Sequence, residues 1–167
     1  MQGCVALLQF IPITLKALKP KETDFEPQTL GEHIRKQRLE LGLTQKQAAD
    51  RLRVTSFTVL NWEKGHTEPP IETVPAILRF LGYDPFPQPQ NLPKRLLAKR
   101  RVMGWSIRQA ARQLGVDPGT WSDWERGETI LYRKHRVLVA QLVGLPVGEV
   151  DQEMGARWNR SHNEGVS

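Results

Sequence analysis

Residues 44–65, TQKQAADRLRVTSFTVLNWEKG, predict two short helices joined by a tight turn. Thr44 is followed three positions later by Gln47, and this spacing is the capping box that starts a helix. Thr55 is the N-cap of the next helix, which ends near Gly65. The buried face of the pair has helical spacing and consists of Ala48, Ala49, Leu52, Val59 and Trp62. Its small residues permit the two helices to cross closely.

The same pattern occurs a second time, 62 positions further along the chain. Residues 34–65 align without a gap on residues 96–127, and 11 of the 32 aligned positions are identical. Unrelated sequences of ordinary composition would share about two. In the second copy Ser106 and Gln109 repeat the capping box. An internal repeat determines the architecture, so we predict two copies of one helical unit.

Further helices flank each pair. The helix before the first pair carries Leu30, Ile34 and Leu41 at helical spacing and ends at Gly42. The helix after it carries Ile71, Val74, Ile77, Leu78 and Leu81. The last helix of the second copy carries Leu131, Val137, Leu138, Gln141 and Leu142. No segment alternates with a period of two for long enough to demand a strand, so the predicted fold class is all-α.

Four prolines between residues 82 and 93 separate the copies and favour an extended spacer. The predicted organisation is a flexible N-terminal arm at 1–27, a helical domain at 28–85, a Pro-rich linker at 86–91, a second helical domain at 92–146 and a flexible tail at 147–167.

The charge of the chain is uneven. Lys and Arg number 24 against 18 Asp and Glu, which gives a net charge of +6, and residues 92–146 alone carry +7. A basic excess of this size favours an anionic partner, most often a nucleic acid. The single cysteine, Cys4, excludes an internal disulfide and a Cys-based metal site, and it fits a reducing cytoplasm.

Nothing in the sequence predicts catalysis, a metal, a cofactor or a membrane span. The four histidines are scattered without metal-ligand spacing, and there is neither a nucleophile elbow nor a Gly-rich phosphate loop. The apolar stretch at residues 5–15 is shorter than the roughly 20 residues that cross a bilayer. We therefore expect a cytoplasmic protein that is not an enzyme and that has no membrane partner.

The segments TQKQAADRLRVTSFTVLNWEKG and SIRQAARQLGVDPGTWSDWERG resemble the Cro/phage-repressor type of helix-turn-helix domain, the XRE-like family of bacteria and phages. The resemblance extends over both predicted domains. It implies two small lambda-repressor-like helical bundles in tandem. It also implies that the second helix of each motif lies in the DNA major groove, with its N-terminal residues against base edges.

The resemblance implies a role for individual residues of each copy. The positions expected to contact bases are Thr55, Ser56, Phe57, Thr58, Asn61, Thr120 and Asp123. The positions expected to contact phosphates are Thr44, Gln45, Lys46, Lys64, Ser106, Arg108, Arg112 and Arg126. The pairs Arg38–Glu63 and Arg100–Glu125 are implied to be structural ion pairs that join the first helix of each unit to the end of its recognition helix. The second copy has Pro118 and Gly119 at groove positions, so we expect it to attract the DNA backbone more than it reads bases.

The function that follows is sequence-specific binding of double-stranded DNA, as expected of a bacterial-type transcriptional regulator whose two domains occupy adjacent half-sites. An alternative stays open at this point: the domains form a protein-interaction module for a toxin, as in an antitoxin, or for the transcription machinery, with residual DNA binding. A homodimer or a protein partner also stays open.

Overall fold

The computed structural model of the chain describes residues 24–129 and 131–153. Within these ranges the chain folds into helices and turns without any strand, as the all-α prediction requires. The helices are α1 (Leu30–Glu40), α2 (Gln45–Leu52), α3 (Ser56–Glu63), α4 (Val74–Leu81), α5 (Leu92–Met103), α6 (Ile107–Leu114), α7 (Pro118–Arg126) and α8 (Arg133–Val143), with a 3-10 turn at Ile71–Thr73. Residues 1–23 of the predicted arm and 154–167 of the predicted tail lie outside the described residues.

Helices α1–α4 enclose one apolar core and form what we call the first bundle. The core consists of Ile34, Ala49, Leu52, Val59, Trp62, Ile77 and Leu81. Capping confirms the predicted helix starts, because the Thr44 hydroxyl accepts a hydrogen bond from the Gln47 amide and Thr55 accepts one from Thr58. Gly31 lies against the end of α3 so closely that a Cβ there would stand 1.9 Å from the Trp62 carbonyl oxygen.

Two details of the first bundle correct the sequence prediction. Leu41 follows the end of α1 and is 46% exposed, because α1 ends at Glu40 and the backbone turns away at Gly42. The predicted single helix from Ile71 begins as a 3-10 turn, and α4 starts only at Val74. Pro75 explains this start, because a residue without an N–H is tolerated in the first helical turn and not beyond it.

Helices α5–α8 enclose a separate core and form the second bundle. Its core consists of Leu92, Leu96, Ala110, Ala111, Leu114, Trp121, Trp124, Leu131, Val139, Ala140 and Val150. The predicted face of the last helix is wrong. Leu131 is buried before α8 begins, while Val137 and Leu138 are 50% and 44% exposed. The side chains that α8 buries fully are Val139 and Ala140, while the predicted Leu142 is partly buried against the same core.

The flexible tail predicted from residue 147 is also corrected. Residues 147–153 are helical, and Val150 is fully buried in the second core. Two acids in this segment hold it in place: Asp151 accepts a hydrogen bond from Arg136 at 2.6 Å, and Glu153 accepts one from the Leu92 amide at 2.5 Å. The segment reads as tail in the sequence because its polar residues face outward and only one apolar residue anchors it.

The two bundles touch each other as well as being joined by the linker. Helix α5 contacts both α4 and the 3-10 turn before it. Gly104, at the end of α5, approaches Pro75 so closely that a Cβ there would lie 2.8 Å from the ring. The Arg101 guanidinium lies over the ring of Phe86, 4.2 Å from its centroid, so the linker also packs on α5. Burial lowers the pKa of Arg101, and the neighbouring Arg100 charge lowers it further.

Candidate nucleic-acid interface

The N-terminal turn of α3 is an exposed part of the first bundle's helix pair. Ser56 is exposed, and Phe57 presents 68% of its surface to solvent. Thr58 is half-buried, and its hydroxyl shares a 2.8 Å hydrogen bond with that of Thr55. Asn61 follows one turn later and is also half-buried. The structure thus brings the five predicted base-contacting residues of the first copy onto one short helix and its cap.

A buried ion pair fixes the orientation of α3. Arg38 on α1 donates from Nε to Glu63 Oε1 at 2.6 Å and from Nη2 to Oε2 at 2.9 Å. A third N–H group of the same guanidinium donates to the Leu43 carbonyl at 3.0 Å. The two side chains are only 12% and 3% exposed. Such a bidentate pair sets direction as well as distance, so the end of α3 is held against α1.

The start of α2 contributes less free polar surface than the sequence suggests. Gln45 donates its side-chain amide to Glu63 Oε2 at 3.0 Å, so it completes the shell of the ion pair. The Thr44 hydroxyl and amide are both engaged with Gln47 in the capping box. Lys46 and Lys64 are exposed, and neither side chain has an intramolecular partner in the described part of the chain. They are the predicted phosphate contacts of the first bundle that are free to reach a ligand.

The second bundle repeats the ion pair with a different third donor. Arg100 donates to Glu125 at 2.6 and 2.9 Å, and it also donates to the Trp105 carbonyl at 3.2 Å. The indole N–H of Trp121 donates to Glu125 Oε1 at 2.6 Å. The repeat aligns Trp121 on the core residue Val59, which predicts that Trp121 is buried but does not predict this bond. The aligned residues contain the signal, because the second copy replaces Gln45 with Ile107 and Val59 with Trp121.

Helix α7 presents a different surface from α3. Its first turn shows Pro118 and Gly119, and Asp117 caps it through a 2.7 Å bond from the Gly119 amide. Thr120 and Asp123 are half-buried. The helix therefore has no counterpart to the exposed aromatic ring of Phe57, and its base-contacting candidates offer one hydroxyl and one carboxylate.

Arg126, a predicted phosphate contact, is occupied by neighbouring acids. Its guanidinium donates to Glu128 at 2.7 and 2.8 Å, to Asp123 at 2.5 Å and to the Ser122 hydroxyl. Four of its five N–H groups are thereby used. The hydrogen bond with Glu128 raises the pKa of Arg126 and lowers the pKa of the Glu128 carboxyl. The structure thus gives no support to Arg126 as a phosphate contact.

Two exposed positive charges of the second bundle lie on α6. Arg108 and Arg112 are exposed, four residues apart, and neither has a side-chain partner among the described residues. Residues at this spacing lie on the same helix face. Ser106 lies just before them, and its hydroxyl is engaged in the capping box with Gln109. Residues 147–153 pack on this bundle and belong to it. Counting them, the net charge of the bundle is +4 over 92–153, compared with +7 over the predicted range 92–146.

The described residues contain neither a metal-binding cluster nor a membrane-spanning helix. Across residues 24–129 and 131–153, no three His, Cys, Asp or Glu side chains gather as a metal site would require. None of the helices in these ranges has the length and apolar character needed to cross a bilayer.

A known family matches the first bundle, and part of the chain is similar to a known protein. Residues 34–87 match the family model described as Helix-turn-helix. A protein of Methanothermobacter thermautotrophicus (strain ATCC 29096 / DSM 1053 / JCM 10044 / NBRC 100330 / Delta H), named as an uncharacterized HTH-type transcriptional regulator, is 45% identical over 49 residues. That alignment covers 29% of this chain and 71% of the relative. No solved structure matches the chain with significance.

Proposed function

Because the chain belongs to the helix-turn-helix family, we propose that it is a sequence-specific DNA-binding transcriptional regulator in which α3 enters the major groove. The observation that carries this proposal is the N-terminal turn of α3, which shows Ser56 and the ring of Phe57 to solvent while Arg38 and Glu63 hold its far end. An apolar ring at this place suits the thymine methyl group, and Asn61 suits an adenine edge. Lys46 and Lys64 then meet the flanking phosphates.

The second bundle is, in this proposal, a second copy of the same unit on an adjacent half-site. Its role is backbone attraction through Arg108 and Arg112, since α7 offers few groups that read bases. Each neutralised phosphate releases counterions and adds nearly one unit to the slope of log affinity against log salt. Tethering raises the local concentration of the second bundle, so that binding by one bundle promotes binding by the other. The protein acts in the cytoplasm without a cofactor or catalytic activity.

The alternative function, a protein-interaction module, has one observation in its favour. Arg126, the only arginine of α7, forms ion pairs with Asp123 and Glu128. The charge of this face is therefore neutralised, and the face does not attract phosphates. A toxin or a subunit of the transcription machinery would then bind α7 while the first bundle alone contacts DNA. Salt dependence separates the two readings, because protein docking on α7 makes no large contribution to counterion release.

Footprinting with the full chain tests the proposal. The wild-type protein should protect two adjacent half-sites, about one helical turn apart. The double variant Arg108→Glu/Arg112→Glu should protect only the half-site of the first bundle, and its affinity should depend less steeply on salt. Glu149→Lys is a control substitution at an exposed position outside α6 in the sequence. An unchanged footprint in the double variant would show that the second bundle does not bind DNA.

A further inference from the structure

The outer side of α8 is an exposed stripe of mixed basic and apolar residues, which we call the α8 face. It consists of Arg133, Lys134, Val137, Leu138 and Gln141, spaced so that they share one side of the helix. All five are exposed, with Val137 at 50% and Leu138 at 44%. Tyr132, just before the helix, adds a side chain that is 69% exposed. Large apolar side chains grouped in this way mark interaction surfaces more often than isolated ones do.

The internal repeat shows how the equivalent face is used in the first bundle. The offset of 62 that aligns the two copies places Ile77 on Val139 and Gly82 on Gly144. Ile77 and Val139 are both fully buried, and both glycines end their helices with a positive φ. Helices α4 and α8 are therefore equivalent, and the same offset places Pro75 on Val137.

In the first bundle this face is covered by a helix. Helix α5 contacts α4 and the 3-10 turn, with Gly104 against Pro75 and against the Glu72 carbonyl. The fold thus already uses this side of the unit as a helix-docking surface once. In the second bundle the equivalent surface has no such cover within the described part of the chain.

The two faces differ in charge, because the covered face carries both Glu72 and Arg79 and is neutral, while the α8 face is basic and has Gln141 in place of Arg79. Where the covered face carries Ile71 and Glu72, the α8 face carries Arg133 and Lys134. The covering helix α5 is basic, with Lys94, Lys99 and Arg101 in its sequence. A helix of that charge suits a face with Glu72 and is repelled by one with Lys134. Complementarity therefore requires an acidic helix on the α8 face.

The acidic helical segment of the described chain, residues 147–153, is already engaged in its own bundle, where Val150 is buried in the core and Asp151 accepts a hydrogen bond from Arg136. In a second copy the equivalent of α5 is α1, where Arg35 and Lys36 replace Leu97 and Ala98. A second α8 would bring the same Arg133 and Lys134. The two end segments outside the described residues are basic in sequence, since residues 1–23 carry a net charge of +2 and residues 154–167 carry +1.

We propose that the α8 face is a docking site for an acidic amphipathic helix of another protein. Apolar residues of that helix pack on Val137 and Leu138, and its carboxylates pair with Arg133 and Lys134. The interaction packs one helix on another, with anchors of the partner at helical spacing. It goes beyond DNA binding and does not depend on it, because the α8 face lies on a different helix from α3 and α6.

Titration of the full chain with designed peptides tests this site. The probe is a fluorescent helical peptide of about 18 residues with leucines at i, i+4 and i+7 and glutamates beside them. Its control has lysine in place of every glutamate. Fluorescence anisotropy should show binding of the glutamate peptide alone. Leu138→Glu should weaken that binding about tenfold or more, as truncation of a central anchor does.

Two further variants make the test specific. Val102→Glu is the matched control, because Val102 lies on α5 and is 48% exposed, and it should bind the glutamate peptide like wild type. The charge swap Arg133→Glu/Lys134→Glu should lose the glutamate peptide and gain the lysine peptide. All these positions are exposed, and circular dichroism verifies that the variants fold.

Three results would overturn the proposal. Equal binding of the two peptides, or binding of neither, would show that the α8 face does not select acidic helices. A change from dimer to monomer in Leu138→Glu by sedimentation would show that a second copy covers the face. Loss of duplex affinity in the charge swap as large as in Arg108→Glu/Arg112→Glu would assign Arg133 and Lys134 to phosphates instead.

Discussion

Glu63 is the residue on which the orientation of α3 depends. Its carboxylate receives two N–H groups of Arg38 and one of Gln45 while only 3% of the side chain is exposed. The pair recurs as Arg100–Glu125 with nearly the same distances. A guanidinium that lost its carboxylate in such a site would stay charged, nearly buried and unpaired, which costs free energy. Each unit is therefore most stable in the arrangement that keeps its pair together.

Glu63→Ala should lower the free energy of unfolding by about 3–5 kcal/mol, because it strands the Arg38 charge in a nearly buried site. Chemical denaturation measures the loss. Glu128→Ala is the control, because it breaks an ion pair whose side chains are both more than half exposed, and its unfolding midpoint should not move measurably. Equal effects of the two substitutions would mean that the buried pair does not fix α3.

Asn61→Ala should relax the choice of base at one position of the operator, because it removes the amide that pairs with an adenine edge. Arg108→Ala should weaken binding to all sequences by a similar factor, because a phosphate contact carries no sequence information. Competition of each variant for a panel of single-base operator mutants measures both effects. Identical specificity profiles for the two variants would refute this division between the bundles.

At the scale of the helices, the N-terminal ends could be predicted because capping is local in the sequence. The buried face of a helix depends on tertiary packing and is harder to predict. The boxes Thr44–Gln47 and Ser106–Gln109 form within four residues, so they appear in the structure as the sequence predicts. The buried side of α8 does not follow from apolarity, because Val137 and Val139 are equally apolar; the signal lies in the repeat, whose offset of 62 places Val139 on the inward Ile77. Arg126 could not be assigned, since its pairing with Glu128 depends on the turn after α7.

The turn between α2 and α3 gives a prediction at this scale. Arg53 and the equivalent Gly115 both have a left-handed backbone, with φ values of 58° and 63°. A side chain in this region costs roughly 1–2 kcal/mol, and glycine avoids that cost while losing some entropy on folding. Arg53→Gly should therefore stabilise the chain by about 1 kcal/mol.

Gly115→Ala is the reciprocal substitution and should destabilise the second bundle by about 1 kcal/mol, since nothing lies within 4 Å of the added Cβ and only the backbone angle is strained. Thermal unfolding of both variants measures the two effects. Stabilisation by Gly115→Ala, or destabilisation by Arg53→Gly, would contradict the assigned turn geometry.

At the scale of the whole molecule, the contact between the bundles adds to what the sequence predicted. The prolines of the linker predict an extended spacer, but they do not reveal that α5 lies against α4. That contact depends on Gly104, whose role in the sequence alone is indistinguishable from that of Gly42. Both end a helix with a positive φ, 65° and 64°, yet only Gly104 has a neighbour within 4 Å of an added Cβ.

Gly104→Ala should accordingly loosen the contact between the bundles, because its Cβ would lie 2.8 Å from Pro75. Gly42→Ala pays the same backbone cost without that clash, so it is the matched control. Limited proteolysis should cut the linker at residues 86–91 faster in Gly104→Ala than in Gly42→Ala. Equal rates would show that the bundles are not held together at this point.

The measurement that tests the central claim most directly is selection of bound duplexes from a random pool by the full chain and by two variants. Wild type should enrich one well-defined half-site next to a weaker one about a helical turn away. Phe57→Ala/Asn61→Ala should lose the well-defined half-site, and Arg108→Glu/Arg112→Glu should keep it while losing its weaker neighbour. Failure of wild type to enrich any sequence, or the same enriched sequence in all three proteins, would contradict the assignment of base reading to α3.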